Sequence, residues 1–146
     1  MHTPSSAISW KRILLVMAIE IISVFCIIMI FKFVQPHLWA ARWASFSFVI
    51  ECAIIVAILW PWRQGGTGKW TLTLPMIFLF LAVFVLPMFF FRWSTEDQFT
   101  NLKWLGMTGP VLHSWSSVFY YLIVGSTVLD FIFALYKHLP EKDEVK

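Results

Sequence analysis

The sequence predicts an all-α integral membrane protein, a four-helix bundle of up-down topology with mostly short connectors. Three observations carry this. First, 60% of the 146 residues are hydrophobic and 13% are charged, where a soluble domain holds about a quarter charged residues. The mean hydropathy is +0.78. Second, the apolar residues fall into four runs of roughly 19 to 27 residues, enough to cross a hydrocarbon core of about 30 Å at about 1.5 Å per residue. Third, tryptophans mark the ends of those runs. Trp10, Trp39, Trp43, Trp60, Trp62, Trp70, Trp93 and Trp104 all stand at or beyond an end, and Trp115 alone falls inside. Indoles favour the headgroup layer, so this placement reads as an aromatic belt.

The elements follow in order. Residues 1–10 form a polar tail. Lys11 and Arg12 precede a first span over about Ile13 to Val34. That run is longer than the apolar region of a signal peptide and no small-x-small cleavage site follows it, so a retained helix is expected. Pro36 ends it. A connector holding His37, Trp39, Arg42 and Trp43 leads to a second span over about Ala44 to Trp62. The turn RQGGTGK, Arg63 to Lys69, precedes a third span over about Thr71 to Phe91, with Pro75 and Pro87 near its two ends. The third connector is long. Ser94 with Asp97 is a loose helix N-cap signal, and Phe99, Leu102 and Leu105 recur every three residues. A short interfacial helix or an irregular loop both fit it. The fourth span covers about Pro110 to Tyr136, and residues 139–146 form a charged tail. Residues 11–138 thus make one transmembrane domain.

Orientation follows from the basic residues. With the N-terminus inside, the inner segments hold Lys11, Arg12, Arg63, Lys69, Lys137, Lys142 and Lys146, and the outer ones Lys32, Arg42, Arg92 and Lys103. Seven against four places both termini in the cytoplasm, across an inner or plasma membrane. A formal net charge of +3, dispersed between apolar runs, argues against nucleic-acid binding.

Chemical motifs are few. GGTGK is a fragment of a phosphate loop, but Arg63 stands where its first glycine belongs and Trp70 where Ser or Thr belongs. It reads as a turn between helices. Cys26 and Cys52 lie in apolar runs and form no CxxC pair, so they read as buried reduced thiols. His37 and His113 fall near the outer face, where with Glu51 they have the chemistry of metal ligands, or as two imidazoles of haem ligands. Ordinary interfacial histidines are the reading adopted, with no metal and no cofactor.

The feature that asks for explanation is the fourth span. His113, Ser116, Tyr120, Thr127 and Asp130 recur at steps of three and four, with Ile123 filling the gap. Such spacing keeps them on one face of a helix. Lipid penalises a polar face, so the stripe should turn into the bundle or toward a partner. Glu20 and Ser23 share a face of span one, and Ser47 and Glu51 a face of span two. Counting from the span ends puts Glu20 and Asp130 each about 10 Å from the inner side, and Glu51 about 10 Å from the outer side. Two layers are therefore expected. The inner one holds Glu20, Ser23, Thr127 and Asp130, and the outer one Ser47, Glu51, His113 and Ser116. Span three has no ionisable residue inside, which suggests a lipid-facing or purely packing role.

Three functions compete. The first is a non-catalytic accessory, assembly or protective subunit that docks through the stripe on its fourth helix. The second is a small oligomeric proton- or cation-coupled transporter or channel that uses Glu20, Glu51 and Asp130. The third is an intramembrane lipid-modifying enzyme, which would need a clustered acid/base or metal set. The first is preferred. The partners expected are the bilayer and a protein, a different chain on the first reading or further copies of this one on the second.

Overall fold

The computed structural model describes residues 9–60, 70–94 and 101–138. The Arg63–Lys69 turn, the Ser94–Asp97 capping signal beyond Ser94, Phe99, residues 1–8 and residues 139–146 lie outside the described residues, and Trp10, expected in the tail, begins the first helix. The chain is all-α, with four long helices. Helix α1 spans Trp10–Phe33, α2 His37–Leu59, α3 Thr73–Ser94 and α4 Gly109–His138. All four are long and apolar enough to cross a membrane. Each packs on two neighbours, α1 on α2 and α4, and α3 on α2 and α4.

Each helix differs from its expected span by a few residues at one end or both, and one of these differences matters. Helix α2 begins at His37, directly after Pro36, rather than near Ala44. The Pro36 carbonyl accepts from Trp39 N–H at 3.0 Å and from Ala40 N–H at 3.4 Å. Nothing in HLWAARW breaks a helix, and its Trp and Arg residues lie on the first two turns of α2 rather than in a loop. Glu51 therefore stands 14 residues into α2 (51 minus 37), about 21 Å along its axis. That is close to the helix centre, deeper than a start at Ala44 implies.

Helix α3 is not a lipid-facing bystander. Its Leu74, Ile77, Phe80, Phe84 and Val85 are buried and join Val16, Cys52, Ile55, Leu59, Leu112 and Ile123 in one core cluster. Midway, residues Leu81–Val85 form a π-helical turn, where Leu86 N–H reaches back five residues to the Leu81 carbonyl. Pro87 follows at once. It lacks an N–H and its ring crowds the carbonyl four residues earlier, and a widened turn relieves both.

The described part of the third connector is a hairpin rather than a helix. Lys103–Trp104 (β1) pairs antiparallel with Met107–Thr108 (β2). Leu105 (φ 49°) and Gly106 (φ 78°) both lie in the left-handed region, as the tight hairpin turns that match strand twist require. Gly109 N–H then bonds the Leu102 carbonyl at 2.9 Å, which fixes the hairpin to the start of α4.

Candidate functional site

The polar stripe of α4 turns inward. Ser116 and Thr127 are buried, Tyr120 and Asp130 half-buried, and Ile123 is fully buried between them. Facing them are Glu20, 3% exposed, on α1 and Glu51, 4% exposed, on α2. Buried carboxylates need donors, and the four helices supply them as hydroxyls.

Glu51 accepts from Ser23 Oγ at 2.6 Å and from Tyr120 OH at 2.8 Å. The same phenol lies 3.2 Å from the Glu20 carbonyl oxygen. Glu20 Oε1 accepts from Thr127 Oγ1 at 2.8 Å. Thr127 lies 3.3 Å from Thr73 Oγ1, which donates to Asp130 Oδ2 at 2.7 Å. Ser126 stands 3.3 Å from the same Thr73 oxygen. Each hydroxyl has a single proton, so Tyr120 chooses between Glu51 and the Glu20 carbonyl, and Thr127 between Glu20 and the Ile123 carbonyl at 3.0 Å. The result is a chain of polar groups contributed by all four helices.

Asp130 has a second task. Its carboxylate accepts the backbone N–H groups of Leu72 at 3.0 Å and Thr73 at 2.9 Å. These are orphan donors at the first turn of α3. A carboxylate there also meets the positive end of the helix dipole. Asp130 is thus a capping residue supplied by another helix, and it closes the stripe because α3 begins beside it.

Above this network the polar groups behave differently. Ser116 Oγ bonds the His113 carbonyl at 2.8 Å, and Ser45 Oγ the Arg42 carbonyl at 2.7 Å, each on its own helix. Arg42 Nε donates to the Arg92 carbonyl at 2.7 Å, and Arg92 Nη1 to the Ala41 carbonyl at 2.8 Å. Arg42 lies 5.0 Å from the Trp39 ring centroid and 5.9 Å from that of Trp93. Between this girdle and Tyr120 lies a cavity of about 280 Å³, with Ser45, Arg92, His113 and Ser116 among its walls.

The expected layers are therefore redrawn. Of the expected inner layer, Thr127 bonds Glu20 and connects to Asp130 through Thr73, while Ser23 bonds Glu51 of the expected outer layer. Glu51 joins them through Ser23 and Tyr120, because α2 starts earlier than its polarity suggests. Ser47 bonds the Trp43 carbonyl of its own helix at 3.0 Å. His113 is exposed at the rim and lines the cavity. His37 is the exposed first residue of α2. Among the described residues no group of three or more His, Cys, Asp and Glu side chains is placed to hold a metal. Cys52 is buried as expected, but Cys26 is exposed on α1. Sequence reasoning missed Thr73, Ser126 and Arg92. Thr73 carried a faint signal, a hydroxyl two residues before Pro75 at a helix start. Comparison with protein-family models, with curated proteins and with solved structures returned no match.

Proposed function

We propose that the chain is a multi-pass protein of an inner or plasma membrane, its four helices crossing alternately up and down with both termini in the cytoplasm. We further propose that it is a non-catalytic accessory, assembly or protective subunit. One observation carries this reading. The carboxylates and hydroxyls of the stripe are spent on one another inside the bundle, while the outward faces are apolar. Ile21, Phe25 and Ile28 on α1 and Leu122, Ile132 and Phe133 on α4 are all more than half exposed. The stripe then serves the bundle itself, and docking passes to those apolar faces. Small or aromatic surfaces of another transmembrane helix would pack there by dispersion.

The decisive experiment extracts the tagged protein from its native membrane in mild detergent and weighs the intact complex by native mass spectrometry. A different protein bound at fixed stoichiometry supports the subunit reading. A homo-oligomer without one sinks it.

A second reading has its own observation. Glu51, Tyr120, Glu20, Thr127, Thr73 and Asp130 form a nearly continuous polar chain from the cavity to the start of α3. Alternating carboxylates and hydroxyls can pass a proton or hold a cation. On this reading, proteoliposomes show proton- or cation-dependent flux that Glu51→Gln abolishes. Equal flux in the variant and in empty liposomes removes it.

A further inference from the structure

The cavity above Tyr120 has two unlike ends. Its walls are apolar for most of their length, with Val24, Ile28 and Phe31 from α1 facing Phe80, Phe84 and Met88 from α3. Its other end carries Arg92 and His113. Among the described residues that line it there is no carboxylate. Arg92 is two residues from the last residue of α3 (94 minus 92), and His113 four from the first of α4 (113 minus 109). The polar end thus lies at the helix termini, at the level of the Trp39, Trp43 and Trp93 cluster around Arg42. The other end runs toward the middle of the bundle between apolar side chains and is floored by Tyr120, whose hydroxyl is turned to Glu51. The cavity also has a side door, because Val24, Ile28 and Phe31 on α1 and Tyr121 on α4 line it and are exposed.

We propose that this cavity is a binding site for an anionic membrane phospholipid, one acyl chain lying between α1 and α4 and the phosphate meeting Arg92 and His113. The polarity gradient of the cavity matches that of a lipid in one leaflet, head at the helix ends and tail toward the centre. Guanidinium and imidazole N–H groups are suited to phosphate oxygens. The volume, about 280 Å³, falls just under the roughly 300–1,000 Å³ of ordinary small-ligand sites. That accommodates a stretch of one chain rather than a whole two-chain lipid, with the rest remaining in the bilayer.

The inference rests on the membrane reading of the preceding section, which is tested separately by asking whether the chain sediments with membranes and resists alkaline extraction. A chain that passes that test and fails the next one sinks this inference alone. The protein in mild detergent is titrated with phosphatidylglycerol and, separately, with phosphatidylcholine of identical chains, and bound lipid is counted by native mass spectrometry. One phosphatidylglycerol per chain is expected, retained at about tenfold lower concentration than phosphatidylcholine because its head carries net negative charge. Val24→Trp narrows the door at a position already open to the outside, and it should lose that bound lipid. Tyr121→Trp on the opposite lip is the second blocking variant should the first fail to elute as wild type. His113→Ala should cut the preference for the anionic lipid about threefold and leave phosphatidylcholine unchanged. Equal retention of the two lipids overturns the proposal, and so does undiminished binding in a correctly folded blocking variant. Displacement of the lipid by inorganic phosphate alone overturns the part assigned to the acyl chain.

Discussion

The two halves of this bundle are built from the same four helices and handle polar groups in opposite ways. In the half that holds Glu20 and Asp130, the inner half on the proposed orientation, most hydroxyls cross from one helix to another, although Ser126 Oγ also bonds the Ile123 carbonyl of its own helix at 2.7 Å. Ser23 and Tyr120 reach Glu51, Thr127 reaches Glu20, and Thr73 reaches Asp130. In the outer half, Ser45, Ser47 and Ser116 return to carbonyls of their own helices, while the Arg42 and Arg92 guanidiniums and the Trp93 indole bridge. The inner half closes tightly around Thr73, Leu74, Ile77, Ile123 and Thr127, all at most 2% exposed. The outer half leaves a cavity. Side chains that bond across a gap draw helices together, whereas those bonded to their own backbone leave the spacing to apolar packing. The predictions below test that difference, each by reversible unfolding in mixed micelles as the SDS fraction rises.

The largest effect is expected at Asp130. Asp130→Ala removes the acceptor for two backbone N–H groups at the start of α3 and for the Thr73 hydroxyl. Leaving such donors unmet costs about 2–3 kcal/mol. Asp130→Asn keeps one acceptor oxygen and should cost about half as much. Equal losses in the two variants would show that something other than the cap holds this end together.

Glu51 comes next. Glu51→Leu strips Tyr120 and Ser23 of their shared acceptor, at about 1–2 kcal/mol. Glu51→Gln should stay within about 0.5 kcal/mol, because an amide can accept from Tyr120 and donate to the Ser23 oxygen. If Gln is as harmful as Leu, the negative charge itself matters and hydrogen bonding to Tyr120 and Ser23 does not account for the role of Glu51.

How far the sequence announces this arrangement depends on which kind of pattern carries it. Four apolar runs define four helices, and the steps from Tyr120 to Asp130 announce an inward polar face, because lipid tolerates no other. Glu20 and Thr127 could be paired by depth alone. Glu51 could not, since its depth hangs on where α2 begins, and Trp and Arg in HLWAARW suit a loop and an interfacial helix turn equally. Thr73 is only faintly marked, for another reason. A threonine near a span end is unremarkable until another helix presents a carboxylate to it. Nor does any local pattern announce the cavity, which arises from the spacing of four separate helices.

A smaller effect tests whether the hydroxyls of the inner half act together. Thr73 and Thr127 stand 3.3 Å apart, a long contact for two hydroxyls. A double-mutant cycle with Thr73→Val and Thr127→Val should give a coupling of about 0.6 kcal/mol or less, the typical size of hydrogen bonds between membrane helices. Each single variant also strips a carboxylate of a donor, so the singles should each cost more than the coupling. A coupling well above 1 kcal/mol would mark Glu20, Thr127, Thr73 and Asp130 as one cooperative unit, which is also what a relay requires.

The smallest effect belongs to the outer half, and it is the sharpest test of the contrast. Ser116 is buried and points to the cavity, as Thr127 is buried and points to Glu20. Burial alone therefore predicts similar costs for losing either hydroxyl. Bonding predicts otherwise. Ser116 gives its proton to the His113 carbonyl three residues back on the same helix, a carbonyl that Ser117 Oγ also reaches, at 3.1 Å. Ser116→Ala then unties nothing between helices and should stay within about 0.5 kcal/mol of wild type. Thr127→Val, by contrast, removes the donor to a buried carboxylate and should cost about 1–2 kcal/mol. Should Ser116→Ala cost as much as Thr127→Val, the outer hydroxyls also hold helices together, and the cavity is a product of bonding rather than of the apolar side chains that wall it.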